Sequence, residues 1–296
     1  MPPRSCLFLI SGLLPLVLCG FCGCEKPADG KLAIRNEGSD TMVNIAEAWA
    51  EQYHREHPNV RVQVLGGGSG VGIASLIDGN CDMANTSRKM KPAEIDTARS
   101  RRGGEPREIV VGHDALAIYV HKRNPLDSIS IEELADLYGE GGKITKWSQL
   151  GVPEGTLGTD QIIRVNRQSS SGTYAYFREA VLGKGRDLKL ASIDANGSKD
   201  AVSLISHTPS AIGYSGMGYV TPDIKTLRVS KRRGEPGVAP TVENARNGSY
   251  PITRPLQIYV IGTPAGAVKD YVNWILSPVG QKIVLELGYV PAKLHE

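Results

Sequence analysis

The sequence predicts an α/β protein built as two lobes, and three observations carry that expectation. Extended and helix-periodic segments alternate along the first part of the chain, which is the pattern of a sheet covered by helices. Two long apolar extended runs, 108–120 and 254–261, flank a middle block, as expected when one lobe is inserted into a discontinuous other. The chain has 296 residues, and at roughly 150 per domain that is enough for two lobes. A hydrophobic content of 41% supplies each with an ordinary core.

In chain order, Leu32, Ala33 and Ile34 form a short strand, and Ser39 opens a helix in which Met42, Ile45, Ala46, Trp49 and Tyr53 recur at helical spacing until Pro58 stops it. Residues 60–64 alternate with period two and read as a strand; 71–77 follow as a short helix after a glycine-rich turn. Residues 82–84 form a strand that runs into Asn85-Thr86-Ser87-Arg88. The first long run breaks at Gly112-His113-Asp114, where the chain passes between lobes. The middle block holds a helix at 131–138, a strand at 161–165, a helix opened by the stretch NRQSSSGTYAYF, and another helix near 201–206. After the second run come helices at 265–276 and, beyond Pro278, at 280–287. These elements place the first lobe at 31–112 and 255–296 and the second at 113–254. No internal repeat is visible.

The N-terminus reads as a leader. Arg4 gives a thin positive region, and Leu7 to Leu18 is an apolar run too short to span a bilayer but suited to a signal peptide. Phe21-Cys22-Gly23-Cys24 resembles a bacterial lipobox, which makes residues 1–23 the signal peptide and Cys24 the acylated first residue of the mature chain; Phe21 stands where such boxes usually have Leu. Residues 24–30, rich in charge, Pro and Gly, form a tether. Four of the five cysteines lie in the leader or at its edge, leaving Cys81 alone in the mature body without a partner for a disulfide, so packing must hold the fold. Cys81 reads as a small hydrophobe on a buried strand.

A net charge of +3 is too mild for a nucleic-acid binder, which shows a basic stripe. The basic runs 99–102 and 231–233 sit beside Gly and Pro and read as solvated loops. His54 and His57 lie at a helix end with no third ligand nearby, and His113, His121 and His207 are isolated, so no zinc site or catalytic triad assembles. Neither a metal nor any other cofactor is expected. Ser69 lacks the G-x-S-x-G elbow because Val71 holds the final glycine position, and Gly213-Tyr214-Ser215-Gly216-Met217 fails in the same way. Residues 66–72 match neither a P-loop nor a dinucleotide fingerprint.

Three places share one design, a glycine- and hydroxyl-rich turn after a strand and before a helix. They are Glu37-Gly38-Ser39-Asp40-Thr41-Met42, Gly66-Gly67-Gly68-Ser69-Gly70 and Ser169-Ser170-Ser171-Gly172-Thr173. In an open α/β sheet such turns lie at the carboxyl ends of strands, where ligands bind. Helix starts present unpaired N–H groups and partial positive charge, glycines allow close backbone approach, and hydroxyls add rotatable donors. One serine suffices for a helix cap, so three serines, a threonine and Arg167 exceed what capping needs. Arg167 supplies a forked set of donors suited to an oxyanion. At roughly 1.5–3 kcal/mol per charged hydrogen bond, about eight donors against an association cost on the order of 4–15 kcal/mol leave micromolar affinity within reach.

EGSDTM with its following helix, GGGSGVG, RQSSSGTYAYF and AIGYSGMGY together resemble the phosphate-binding substrate-binding proteins of phosphate-specific ABC transporters, over about residues 32–288. The resemblance implies a two-lobe periplasmic-binding-protein-like fold of type II, hinged on two crossover strands and closing over one inorganic phosphate without chemical turnover. It implies a monomer in the periplasm or on the outer face of the cell membrane, held by a lipid on Cys24, delivering phosphate to ABC permease subunits. Thr41, the backbone N–H of Met42 and Ser69 would hold the ion from one lobe, and Arg167, Ser171, Gly172 and Thr173 from the other. Two positions depart from the family pattern. Arg88 follows Ser87 where many members carry an aspartate that accepts the proton of hydrogen phosphate, and Ser169 stands where an aspartate often pairs with the motif arginine. Arg88 would then be a second cation favouring the dianion, and Asp40 becomes the candidate proton acceptor. The alternatives are the same fold tuned to sulfate, tungstate or molybdate, a secreted serine hydrolase or phosphatase, and a lipoprotein without ligand.

Overall fold

The computed structural model describes residues 32–292; the leader, the Cys24 lipobox and the 24–30 tether lie outside the described residues. The first lobe opens with β1 (Leu32–Gly38), α1 (Val43–Glu56), β2 (Val60–Leu65), α2 (Ser69–Asp78), β3 (Met83–Thr86) and α3 (Pro92–Arg102). The long strand β4 (Pro106–His121) leads into β5 (Ser128–Ser130), α4 (Ile131–Tyr138), β6 (Ile163–Arg167), α5 (Gly172–Phe177), β7 (Ile193–Ala195) and α6 (Ser198–His207). β8 (Ala211–Gly216), β9 (Ile224–Ser230) and α7 (Val242–Arg246) complete the second lobe, and β10 (Thr253–Ile261), α8 (Gly266–Ile275), α9 (Pro278–Glu286) and β11 (Val290–Pro291) return to the first.

The strands run in the order β2-β1-β3-β10-β4-β8-β6-β7. β1 pairs with β2 and β3 in parallel, as strand–helix–strand units require, whereas β10 lies antiparallel between β3 and β4. β4 joins the lobes by changing partner. Its first part pairs with β10, from Thr253↔Ala115 to Ile261↔Pro106, and from Leu116 onward it pairs with β8 and β9. The fold is therefore α/β with two lobes, as the sequence predicts, and the interruption expected at Gly112-His113-Asp114 is part of a continuous strand.

Helix α1 forms because its apolar residues return every three to four positions and bury one face. Ile45, Ala46, Trp49 and Tyr53 are buried there, packed with Tyr271 and Ile275 of α8 and Val284 of α9, at about 1.5–3 kcal/mol for each large side chain. The Trp49 indole N–H donates to the Gly280 carbonyl at 2.8 Å, so its polar edge is satisfied inside the core. The opposite face of this lobe is closed by α2 and α3 through Ile73, Leu76 and Ala98. In the second lobe Ala201, Val202 and Ile205 of α6 pack on β4 and β6, while Phe177 stacks on Tyr214 at 3.7 Å between ring centroids.

Several expectations are corrected. Ser39 does not open α1: residues 39–42 form a turn, and the helix starts at Val43. The run 99–102 is not a loop but the last turn of α3, where Arg99, Arg101 and Arg102 favour the negative end of the helix and Arg99 binds Glu105. Cys81 is buried as expected, yet it sits just before β3 rather than on it, and burial pushes its thiol up to about 11. α3, α7 and the strands β5, β7, β8, β9 and β11 have no counterpart in the sequence reading.

Candidate functional site

The three glycine- and hydroxyl-rich turns meet where the lobes face each other. The Thr41 and Thr173 hydroxyls lie 2.9 Å apart. Ser69 Oγ accepts the Ser87 backbone N–H at 3.0 Å and lies 3.3 Å from Ser87 Oγ, which also takes the Ser39 hydroxyl at 2.9 Å. Gly172 approaches from the second lobe so closely that a Cβ there would fall 2.2 Å from Ser69 Oγ and 2.6 Å from Ser87 Oγ. Thr41, Ser69, Ser87, Ser171 and Thr173 are all buried.

Ser171 caps α5, its Oγ accepting the N–H groups of Thr173 and Tyr174 at 3.1 and 3.4 Å. Both protons come from the backbone, so the hydroxyl's own proton stays free to donate. Ser170 serves the seam between lobes: its carbonyl takes the Gly70 N–H at 2.9 Å and its hydroxyl donates to the Gly67 carbonyl at 3.1 Å. The glycines of the second turn are needed for this contact, since a Cβ at Gly68, whose φ is +99°, would lie 2.7 Å from the Ser170 carbonyl oxygen.

Arg167 ends β6 with its side chain 1% exposed. One terminal nitrogen donates to Ser198 Oγ at 3.2 Å and the other to Asp40 Oδ2 at 3.0 Å. Its Nε is buried and has no hydrogen-bond partner among the described residues. Burial pulls the Arg167 pKa down, and Asp40 is the first of the groups that oppose the shift. An unpaired buried donor costs about 1–3 kcal/mol, which an acceptor in the cleft would relieve.

Asp40 is thus held by donors on both oxygens, Oδ1 by the Gly67 N–H at 2.9 Å and Oδ2 by Arg167. It fills from the opposite lobe the pairing role that Ser169 leaves open. Arg88 lies beside the second turn, one terminal nitrogen 3.7 Å from where a Cβ on Gly70 would sit, but its charge is engaged elsewhere. Its guanidinium is clamped by Glu94 at 2.7 and 2.8 Å, and Glu94 also accepts the Lys91 N–H at the start of α3. The Met42 N–H donates to the Ser39 carbonyl at 2.9 Å, and the Met42 side chain is in the core.

Two site residues escape the sequence reading, Arg254 and Asp114. They face each other across β10 and β4 in register, both fully buried, with Arg254 donating to Asp114 Oδ2 at 2.8 and 3.1 Å. One terminal nitrogen of Arg254 also reaches Thr41 Oγ1 and Thr173 Oγ1, each at 3.1 Å. Burial raises the Asp114 pKa, and the charge of Arg254 works against that rise. The available signal was a charge in each long apolar run, Asp114 within the first and Arg254 at the head of the second, since fully buried charges occur almost only when paired.

A family model described as a PBP superfamily domain matches residues 25–279. The phosphate-binding protein PstS of Pseudomonas aeruginosa is 35% identical over 271 residues, covering 88% of this chain and 83% of that protein. PstS of Bacillus subtilis is 31% identical, covering 90% and 82%. A solved structure from Clostridium perfringens, described as a phosphate ABC transporter substrate-binding protein with bound phosphate, superimposes with a TM-score of 0.78 at 28% identity, covering 88% of this chain and 100% of that one.

Proposed function

The chain belongs to the PBP superfamily and, within it, to the phosphate-binding substrate-binding proteins of phosphate-specific ABC transporters, and we propose that it binds inorganic phosphate between its lobes and delivers it to an importer. The observation that carries the reading is the convergence of Thr41, Ser69 and Thr173 from three turns beside a buried Arg167 whose Nε lacks a partner. Such a set offers many donors at fixed positions, which suits a tetrahedral oxyanion and needs no bond making or breaking.

In this reading Thr41 and Ser69 hold the ion from the first lobe, and Arg167, Ser171, Gly172 and Thr173 hold it from the second. Closure pivots where β4 changes partner and β10 begins, so that 31–112 with 255–296 moves against 113–254. The protein acts as a carrier without turnover, held at the outer face of the membrane by a lipid on Cys24. No described helix is long and apolar enough to cross a membrane.

Calorimetric titration of the purified protein with phosphate tests the site: one-to-one binding with an upward shift in melting temperature is expected, and absence of both sinks the reading. Mass spectrometry of the membrane-extracted chain tests the anchor. A mature N-terminus at Cys24 with an added diacylglyceryl mass is expected, and cleavage elsewhere without lipid rules it out.

A further inference from the structure

We propose that Tyr219 is a positioning residue of the anion site, an interlobe clasp whose hydroxyl holds the first donor turn in the closed cleft and so sets how long the bound anion stays. Resting on the phosphate reading, it names what delays release.

No residue of the stretch AIGYSGMGY is among those that hold the ion in that reading. Its first part is β8, buried along its whole length, and the chain then makes one 3₁₀ turn, Met217–Tyr219. Two bonds tie the start of this turn to the crossing strand β4. The Met217 N–H donates to Asp114 Oδ1 at 3.0 Å, and the Ala115 N–H donates to Met217 Sδ at 3.3 Å. The Tyr219 ring is 8% exposed and belongs to the core of the second lobe, with Ala201 and Ile205 of α6 and Ala117 of β4. Its hydroxyl leaves that core and donates to the Asp40 carbonyl of the first lobe at 2.6 Å.

Asp40 stands in the middle of the turn that Tyr219 reaches. Its carboxylate takes the Gly67 N–H and Arg167, the Ser39 hydroxyl before it donates to Ser87 Oγ, and the Thr41 hydroxyl after it meets that of Thr173. The second lobe therefore grips this one residue twice, at the side chain through Arg167 and at the backbone through Tyr219. The first lobe holds the next carbonyl in the same manner, since Tyr289 donates to the Thr41 carbonyl at 2.9 Å. Gly218 lets the 3₁₀ turn lie against Tyr289, for a Cβ there would fall 2.5 Å from the tyrosine ring.

Filling the core of the second lobe needs only the ring, which phenylalanine would supply. The hydroxyls of the two tyrosines differ in one respect. Tyr289 bonds within the first lobe, so its bond outlasts opening, whereas the bond of Tyr219 joins the lobes and exists only when they are together. A bond made only in the closed form opposes opening and leaves entry into the open form untouched. At 2.6 Å it is lost once the atoms part by about 1 Å, which a small rotation about the nearby crossing strand achieves.

The test is rapid filtration with radiolabelled phosphate, following uptake and release, together with melting of the unliganded protein, for the parent, Tyr219→Phe and Tyr289→Phe. Each substitution removes one oxygen and keeps the ring, so both cores stay filled. Tyr219→Phe is expected to speed release about threefold to tenfold and to leave the association rate within about twofold. Tyr289→Phe is expected to lower the unliganded melting temperature more than Tyr219→Phe does, with release within about twofold of the parent. An unchanged release rate in Tyr219→Phe overturns the proposal. So does an equal acceleration in Tyr289→Phe, because both hydroxyls would then only support the turn. If the parent binds labelled sulfate or molybdate but not phosphate, and Tyr219→Phe alone speeds its release, the phosphate reading fails and the clasp stands; if the parent binds none of the three, both fall.

Discussion

The hydroxyls of Thr41 and Thr173 lie within 2.9 Å of each other although 132 positions separate them in the chain. One belongs to a turn of the first lobe and the other to the first turn of α5 in the second, so the contact exists only with the lobes together. Replacing either threonine by valine removes one donor of about 1.5–3 kcal/mol, and a loss of about tenfold to a hundredfold in phosphate affinity is expected by calorimetry. The double variant should lose less than the sum, because the two share partners. Unchanged affinity in the double variant would remove both residues from the site.

Gly172 is where steric room decides function. Its absent side chain lets the backbone of the second lobe press against Ser69 and Ser87, and a Cβ would sit 2.2 Å from Ser69 Oγ. Gly172→Ala is expected to wedge the lobes apart at a cost of about 1–3 kcal/mol. Small-angle scattering in saturating phosphate should give a larger radius of gyration than the parent; an identical profile and affinity would contradict this.

The seam at Ser170 makes a separable prediction. Gly68→Ala adds a methyl 2.7 Å from the Ser170 carbonyl oxygen and forces alanine to φ +99°. Ser170→Ala removes only the hydroxyl bond to the Gly67 carbonyl. Slower phosphate association with a modest fall in melting temperature is expected for the glycine variant in stopped-flow fluorescence. The serine variant should show an effect of about 1 kcal/mol or less. Equal effects in the two would mean that close approach is not what the glycine provides.

Acid should weaken the fold through His113 on β4. Burial lowers its pKa below the ordinary 6.5, so the folded state holds the imidazole neutral while the unfolded chain takes up a proton first. The contribution is fully present above 6.5 and is lost as pH falls below that value. His121 is shifted the same way, by burial first and by Arg123 next. Melting temperature should therefore fall between about pH 7 and pH 5, and His113→Gln should flatten part of that slope. A slope unchanged in the variant would place the acid sensitivity elsewhere.

Core packing sets the stability of the first lobe. Trp49 is fully buried, and Trp49→Ala is expected to cost about 3–5 kcal/mol in denaturant unfolding, with the Gly280 carbonyl also losing its donor. A cost under 1 kcal/mol would show that α8 and α9 collapse into the space.

The sequence by itself determined the α/β class, most helices of the first lobe, and the three turns with Arg167. These rest on periodicity and on local runs of glycine and hydroxyl residues, which short windows display. α3 was not legible because its buried surface is little more than Ala98, which leaves no apolar period to read. β8 was missed because it is buried along its whole length, so no alternation marks it, and β9 because its burial follows no period of two. Only the tertiary structure decided which charges answer one another. It gave Asp40 to Arg167 across the cleft, Glu94 to Arg88 at the start of α3, and Asp114 to Arg254 across two strands 140 positions apart in the chain. The physical reason is that a buried charge is stable only beside a partner, and that partner is chosen by strand register and lobe closure, which no local window contains.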